Sequence, residues 1–537
     1  MSHKVLNSIT ATDLEDMSKD DLISTLISQR DTIAKLQANI SSLQYLLFSK
    51  KSERCKSEPE GMACLFDEPE SIANESQEDS DIEKNDTVPV NSHKRKPAKR
   101  KPLPASLPRE RIEHDLDESE KICKKHGCDL ERIGESKSEK LEIIPAQVKV
   151  IEHVTFSYKC PCCINEISDP LDDNSSMISS SKEPSLIPKS YASSSLLAYV
   201  ATAKYCDALP LYRQEKIFAR YGIDIKRNTL SKWMIKSYEK SIPLLNLLYE
   251  TFLKCTVIGV DETILQVLKE ANRKAEQQSF MWTGVTMCGP PVVIYQYNSR
   301  RSAQAAKNFI EGFEGVVVCD GLKSYDSYAA TAPITLAACM AHVRRYFFRA
   351  DKSLKKASPK TQRKTEVVLN FIKELYKIED QCKGLTPEKI LQTRQDESKP
   401  IMEAFKKWLD DESIKVRPTS QIGKAISYAL GQWDKLQVFL SNPWVQIDNN
   451  KTERAIRPFV IGRKNWLFAD TPKGADASAG IYTLIESAKA NNIEPFSYLN
   501  LIFKELGKAS SLEHYERLLP FNVKKYFDVA TLTTTNN

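Results

Sequence analysis

The chain has 537 residues, of which 41% are apolar and 28% charged, with a formal net charge of +6. That is too long for one ordinary core and points to roughly two to four domains of globular composition, excluding fibrous or wholly disordered classes. No N-terminal stretch reads as a secretory signal and no apolar run reaches the ~18 residues of a membrane span, so a cytosolic protein without a membrane partner is expected, its 13 Cys serving as core residues or metal ligands rather than disulfides.

In residues 1–56, Leu22, Leu26, Ile33, Leu36, Ile40, Leu43 and Leu47 alternate steps of three and four, with Gln29 as the polar interruption. An a/d seam of that length predicts a coiled coil, or else one amphipathic helix packed on its own domain. The linker that follows, 57–104, favours self-association of the chain. It runs from ten acidic residues between Glu58 and Glu83, with no Lys or Arg, to KRKPAKRK (Lys94 to Lys101), which has six cations. Such blocks read as solvated linker, here with an arm able to contact phosphates.

Residues 105–173 hold CKKHGC (Cys123 to Cys128) and CPCC (Cys160 to Cys163), joined by KLEIIPAQVKVIEHVTFSYKC, whose alternation suggests two strands around Pro145. Cys123, His126, Cys160 and Cys163 have the spacing of a tetrahedral structural zinc site, with Cys128 and Cys162 as competing ligands and incidental buried cysteines as the plain alternative. A Ser-rich gap, Asn174 to Ser185, marks a boundary. Residues 186–250 read as consecutive helices. One ends at Tyr221-Gly222 and the next is expected to be capped by Asn228 or Thr229, a helix-turn-helix pattern that any αα-hairpin also gives. Lys226, Arg227 and Lys232 are its candidate DNA contacts, while Leu230 and Trp233 suit a core.

In the segment 251–498 the periodicity changes. CTVIGVDETILQVL (255–268), FMWTGVTM (280–287), PVVIYQYN (291–298), GVVVCDG (315–321) and ITLAACM (334–340) read as strands. Helices are expected at SAQAAKNFIEGF, after CDG, and at HVRRYFF. The order β-β-β-α-β-α-β-α makes a mixed sheet with helices on its faces. Residues from about 343 to 440 look like a helical insertion, and 499–537 form a short C-terminal domain.

Asp261 lies within the first of these strands and Asp320 ends the fourth, each embedded in apolar sequence where an ionised carboxylate is costly unless paired or metal-bound. In this strand order the two strands are neighbours. That is the ribonuclease-H-like arrangement, which expects a third acid on a late helix, and Glu453 of IDNNKTERAIRP stands in that region. Structural alternatives exist for each acid. Asp320 precedes Gly321 and suits a turn. Asp261 could pair with Arg344 or Arg345. Asn450 and Glu453 have capping-box spacing, and Glu453 with Arg457 is an i,i+4 pair. Arg344, Arg345, Arg457, Arg463 and Lys464 are candidate phosphate contacts. His342, three residues after Cys339, reads as a helix-start or DNA-contacting residue rather than a metal ligand. Trp466 and Phe468 read as core.

FSKKSER, the CKKHG and CPCC knuckles, DALPLYRQEKIFARYGI, DET at 261–263, CDG at 319–321, CMAHVRRYFF, IDNNKTERAIRP and IGRKNWLFA occur in one order from about residue 20 to about 525. In this the chain resembles the insertion-sequence-66 family of DDE transposases. The resemblance implies catalytic acids at Asp261, Asp320 and Glu453, a leucine-zipper-like N-terminus, a small zinc-binding domain and a C-terminal domain. His126 stands where the family often has Cys. The implied activity is cleavage of insertion-sequence ends and their joining to target DNA. Two magnesium ions (or manganese) held by the three acids would serve that phosphoryl transfer. The implied partners are terminal-repeat and target DNA, further copies of the chain and small accessory proteins, with the nucleoid as the location. A transposase-derived DNA-binding regulator with a dead nuclease-like domain, and a nuclease without strand transfer, are the alternatives.

Overall fold

A computed structural model describes residues 148–159, 177–180, 183–321, 323–354 and 359–527. The predicted coiled coil, the charged linker and the zinc ligands Cys123, His126, Cys128, Cys160 and Cys163 lie outside these residues. The chain divides into two compact units, 68–154 and the remainder. Of the first, the described residues 148–154 are exposed and carry no regular structure.

The second unit contains a small antiparallel pair, β1 (Ser157–Lys159) with β2 (Met177–Ser179). This corrects the sequence reading: the partner of the strand before CPCC comes from the stretch taken as a Ser-rich boundary, and Val148 to Phe156 form no strand. Three helices follow, α1 (Ser194–Tyr205), α2 (Leu211–Arg220) and α3 (Arg227–Leu253). The α2–α3 turn uses Gly222 at φ +76°, a conformation glycine adopts without strain. α3 starts at Arg227 rather than being capped by Asn228 or Thr229. The preceding Lys226 is extended, and the Arg227 amide donates to the Glu215 carboxylate of α2 at 3.2 Å, so the first amide of the helix is satisfied from across the hairpin. Leu230 and Trp233 are buried in the core, as their apolar character requires.

The main sheet has five strands: β3 (Val257–Gln266), β4 (Gln278–Thr286), β5 (Val293–Asn298), β6 (Gly315–Cys319) and β7 (Ile334–Ala338), in the order β5-β4-β3-β6-β7. β3, β4 and β5 pair antiparallel, whereas β6 and β7 add in parallel through the crossover helices α4 (Ala303–Ile310) and α5 (Lys323–Ala329). The strand and helix order is the one the periodicity predicts. The VIGV run of β3 is buried throughout, as expected of a central strand covered on both faces.

After β7 come α6 (Met340–Leu354), α7 (Pro359–Gln381), α8 (Pro387–Thr393), a π-helical turn at Arg394–Ser398, α9 (Lys399–Lys415), α10 (Gln421–Gly431) and the single turn α11 (Trp433–Leu436). This is the expected helical insertion. It has an apolar cluster of its own, around Phe347, Ile372, Phe405, Ile426 and Trp433, which continues into Val257 and Val318 of the sheet.

The chain closes with α12 (Asn450–Trp466), α13 (Pro472–Ala490), α14 (Pro495–Glu505), α15 (Leu512–Arg517) and α16 (Pro520–Tyr526). α13 is buried on nearly every face. Its Ser487 and Thr483 hydroxyls bond the Val293 and Tyr295 backbone of the edge strand β5 at 2.8–3.0 Å, satisfying groups that would otherwise template another strand. A second apolar cluster runs from Leu186 through α3, the sheet and α13 to Val523, so helices from both ends of the unit share one core. Among the described residues no helix is long and apolar enough to cross a membrane.

Candidate active site

The parallel pairing of β3 with β6 aligns Gly259 with Val318. Carried two residues further, the same register sets Asp261 opposite Asp320, each just past the last paired position. Gly321 follows Asp320 at φ +86°, turning the chain sharply away from the strand end. The carboxylates of Asp261, Glu262 and Asp320 each offer an oxygen within 4.8 Å of the other two. Asp261 and Glu262 are consecutive and leave opposite faces of β3, and Asp320, at a strand end, is within reach of both.

Burial raises the Asp261 carboxyl well above its usual range, with the charges of Glu262, Asp320 and Glu453 adding to the effect. Burial likewise raises Glu262 from 4.5 to about 7, reinforced by Asp320 and opposed by Arg301. Arg301 Nε donates to Glu262 Oε1 at 2.6 Å, and its Nη2 lies 3.7 Å from Asp320 Oδ2. From the helical insertion, the Tyr428 hydroxyl donates to the Asp320 backbone carbonyl at 3.1 Å. Arg301 thus faces two of the three carboxylates. The hard oxygen donors of the cluster fit a divalent cation of the magnesium class.

Glu453 arrives on α12, whose first turn is seated on the sheet through several bonds. Asn449 Nδ2 donates to the Val260 carbonyl at 2.9 Å, Lys451 Nζ to the Thr286 carbonyl at 2.8 Å, and the Tyr295 hydroxyl to the Ala455 carbonyl. The approach needs Gly259. A Cβ there would lie 2.2 Å from both Met287 Cε and Thr452 Oγ1, and 3.0 Å from Asn449 Oδ1. The capping-box expectation is corrected. Asn449 occupies the cap position without a side-chain cap; its Nδ2 donates to β3, and Asn450 is the first helical residue. Asp448 instead accepts the Asn450 amide at 3.0 Å and the Tyr376 hydroxyl at 2.8 Å.

Glu453 is 5% exposed and falls in an adjoining group, with Cys339 and His342, rather than within the cluster of Asp261, Glu262 and Asp320. Its Oε1 lies 3.9 Å from His342 Nδ1 and 4.0 Å from Arg345 Nη2. Burial, and next Arg345, lower His342 from 6.5 to about 4, so the ring is neutral near pH 7. The three predicted acids therefore occupy two neighbouring groups, close enough for Glu453 to perturb Asp261.

The predicted cations are dispersed. Arg463 Nη1 donates to Thr263 Oγ1 at 3.1 Å, beside the acids on β3. Arg344 lies over the Phe348 ring at 5.5 Å. Arg457 is half-buried one turn beyond Glu453, and Lys464 is exposed. On the α2–α3 hairpin, Lys226 is exposed and paired with Asp224 at 2.7 Å, Lys232 is exposed, and Arg227 starts α3. Trp466 packs against Phe459 as expected of a core residue, whereas Phe468 is exposed because α12 ends at Leu467 with φ 67°. Glu262 and Arg301 were not selected from sequence. A second acid directly after Asp261 was the visible signal for Glu262, but nothing local links it to an arginine 39 residues later.

Residues 189–477 match the family model described as "Transposase IS66 family", and residues 483–521 match "IS66 C-terminal element". Residues 120–163, which include all the predicted zinc ligands, match "zinc-finger binding domain of transposase IS66". Residues 35–112 match "Transposase C of IS166 homeodomain". Two similar relatives from Sinorhizobium fredii, described as uncharacterized proteins y4qI and y4hP, are each 29% identical. They align over 93% and 92% of this chain, and over 90% and 89% of their own lengths.

Proposed function

The chain belongs to the IS66 family of transposases, and from that premise we propose that it cleaves insertion-sequence ends and joins them to target DNA on a ribonuclease-H-like core. The observation that carries this reading is the parallel β3–β6 register, which sets Asp261 beside Asp320, with the helix bearing Glu453 docked on β3 at Gly259. Asp261, Asp320 and Glu453 would hold divalent magnesium or manganese. Two such ions, when bound, would supply Lewis-acid activation of a water or 3′-hydroxyl and charge stabilisation at the leaving oxygen of an in-line displacement.

The chain's own residues do the rest. Arg301 balances Glu262 and Asp320, keeping carboxylates of like charge together when no cation is bound. Asn449 and Lys451 fix the first turn of α12 and so the direction of Glu453. Arg344, Arg345, Arg457, Arg463 and Lys464 contact the phosphates of the strand being cut, and Lys226, Arg227 and Lys232 contact duplex beside it. Cys123, His126, Cys160 and Cys163, or Cys128 in place of one of them, hold the structural zinc that the matched zinc-finger domain implies. The N-terminal heptads join protomers.

Strand transfer with terminal-repeat DNA and Mg²⁺ tests the reading. It should occur with the unsubstituted chain and vanish in Asp261→Ala, Asp320→Ala and Glu453→Ala. Transfer that survives Glu453→Ala removes the role assigned to that residue. Cleavage without joining in the unsubstituted chain would leave a nuclease.

A further inference from the structure

Glu453 has neighbours that the proposed chemistry does not use. Cys339 follows β7, His342 lies in the first turn of α6, and each offers a ligand atom within 4.8 Å of the other and of a Glu453 oxygen. The Asn449 amide donates to Cys339 Sγ at 3.2 Å, and the Met340 amide to the Ile447 carbonyl at 3.0 Å, so the segment entering α12 is tied to the start of α6. His342 Nδ1 is buried and makes no hydrogen bond. It faces Glu453 Oε1 across 3.9 Å, too far for one. A buried ring nitrogen without a partner is unfavourable unless something absent from the protein chain fills the gap.

We propose that Cys339, His342 and Glu453 form a binding site for a borderline divalent transition ion of the zinc class, separate in donor chemistry from the carboxylates of Asp261, Glu262 and Asp320. One thiolate, one imidazole and one carboxylate suit zinc or cobalt, whereas magnesium takes oxygen donors and keeps its waters. Three protein ligands leave a fourth position open, as in zinc sites that accept a water or a substrate oxygen. Since the thiolate and not the thiol is the ligand, binding would release the Cys339 thiol proton. Cys339 is fully buried and His342 half-buried.

Binding requires only these three side chains. Its effect on activity rests on the transposase reading: an ion held here draws on Glu453, so zinc should inhibit magnesium-dependent strand transfer.

The test is a Co²⁺ titration of the full chain without DNA, read by thiolate-to-cobalt charge-transfer absorption. Any cobalt exchanged into the N-terminal cysteine knuckles is common to all variants and cancels in the difference spectra. The expected result is a band absent from Cys339→Ser, weakened in affinity by at least about tenfold in His342→Ala and Glu453→Gln, and unchanged in Asp261→Asn. Should Cys339→Ser fail to fold, the His342 and Glu453 variants carry the test. Identical spectra for the unsubstituted chain and His342→Ala would overturn the site. Because the absorption is read without DNA, a chain inactive in strand transfer leaves this test intact.

Discussion

Two groups of potential ligands lie next to each other in this protein, and they are built differently. Asp261, Glu262 and Asp320 come from adjacent strands, and the β3–β6 ladder that sets their separation is part of the central sheet. Cys339, His342 and Glu453 come from a strand end and two helices more than a hundred residues apart in sequence, and they meet only because α12 docks against β3 and α6. The first group is all oxygen and crowded with like charge. The second mixes sulfur, nitrogen and oxygen and contains a neutral histidine. Strand-borne acids are thus placed by register, and the helix-borne acid by docking. The two should respond differently to perturbation.

The largest effect is expected from the acids. Asp261→Asn and Asp320→Asn should each lower magnesium-dependent strand cleavage by roughly a hundredfold or more, since metal-borne charge stabilisation supplies several kcal/mol. Circular dichroism should show an intact fold. Retained cleavage in either variant would remove the strand-borne group from the chemistry.

A pH comparison follows, with magnesium withheld. Glu262 has a folded value of about 7 against 4.5. The folded state therefore holds its proton more tightly, and stability falls as pH rises from about 4.5 to about 7, by at most about 3 kcal/mol. His342 is shifted the other way, from 6.5 to about 4. The unfolded state binds its proton first, so stability is lost as pH falls from about 6.5 to about 4. Thermal unfolding should show Glu262→Gln flattening the first slope and His342→Gln the second. Slopes unchanged by both substitutions would contradict the electrostatics of both groups.

Docking is probed by Gly259→Ala. The added methyl meets Met287 and Thr452 at 2.2 Å, and overpacking of this kind costs about 1–3 kcal/mol. The expected outcome is a lower melting temperature together with loss of the cobalt band, while Mg²⁺ still binds the strand-borne carboxylates in calorimetry. The smallest change is expected from Asn449→Ala, which removes one buried bond to Val260 and should cost about 1 kcal/mol in denaturant unfolding. An effect confined to Glu453 and sparing Asp261 would sharpen the distinction between register and docking.

Much of the fold was legible before the structure. Alternation and apolar runs located all five strands of the main sheet, because a covered strand must be apolar along its length, and the change to helical spacing marked the insertion. Adjacency of Asp261 and Asp320 followed from strand order. The start of α3 was misplaced because its first amide is satisfied by Glu215 from another helix, which no local signal reports. The β2 strand was missed for a related reason: three residues in a Ser-rich stretch carry too little pattern, and only pairing with Ser157–Lys159 makes them a strand. Glu262 was visible as a charge in the strand, but its importance lies in Arg301, brought in by the start of α4.

The sequence by itself determined the order of elements, the acids embedded in apolar strands and, through its motifs, the family. Those features are local or collinear, and a single chain displays them directly. Tertiary structure alone decided that Glu453 stands with Cys339 and His342 rather than within the Asp261–Asp320 cluster. That choice depends on how closely α12 can approach β3. The approach is set by the missing side chain of Gly259, the commitment of Asn449 to Val260 and the Asn449 amide on Cys339, contacts between positions some 110 to 190 residues apart. Spacing along the chain carries no record of distances that only packing fixes.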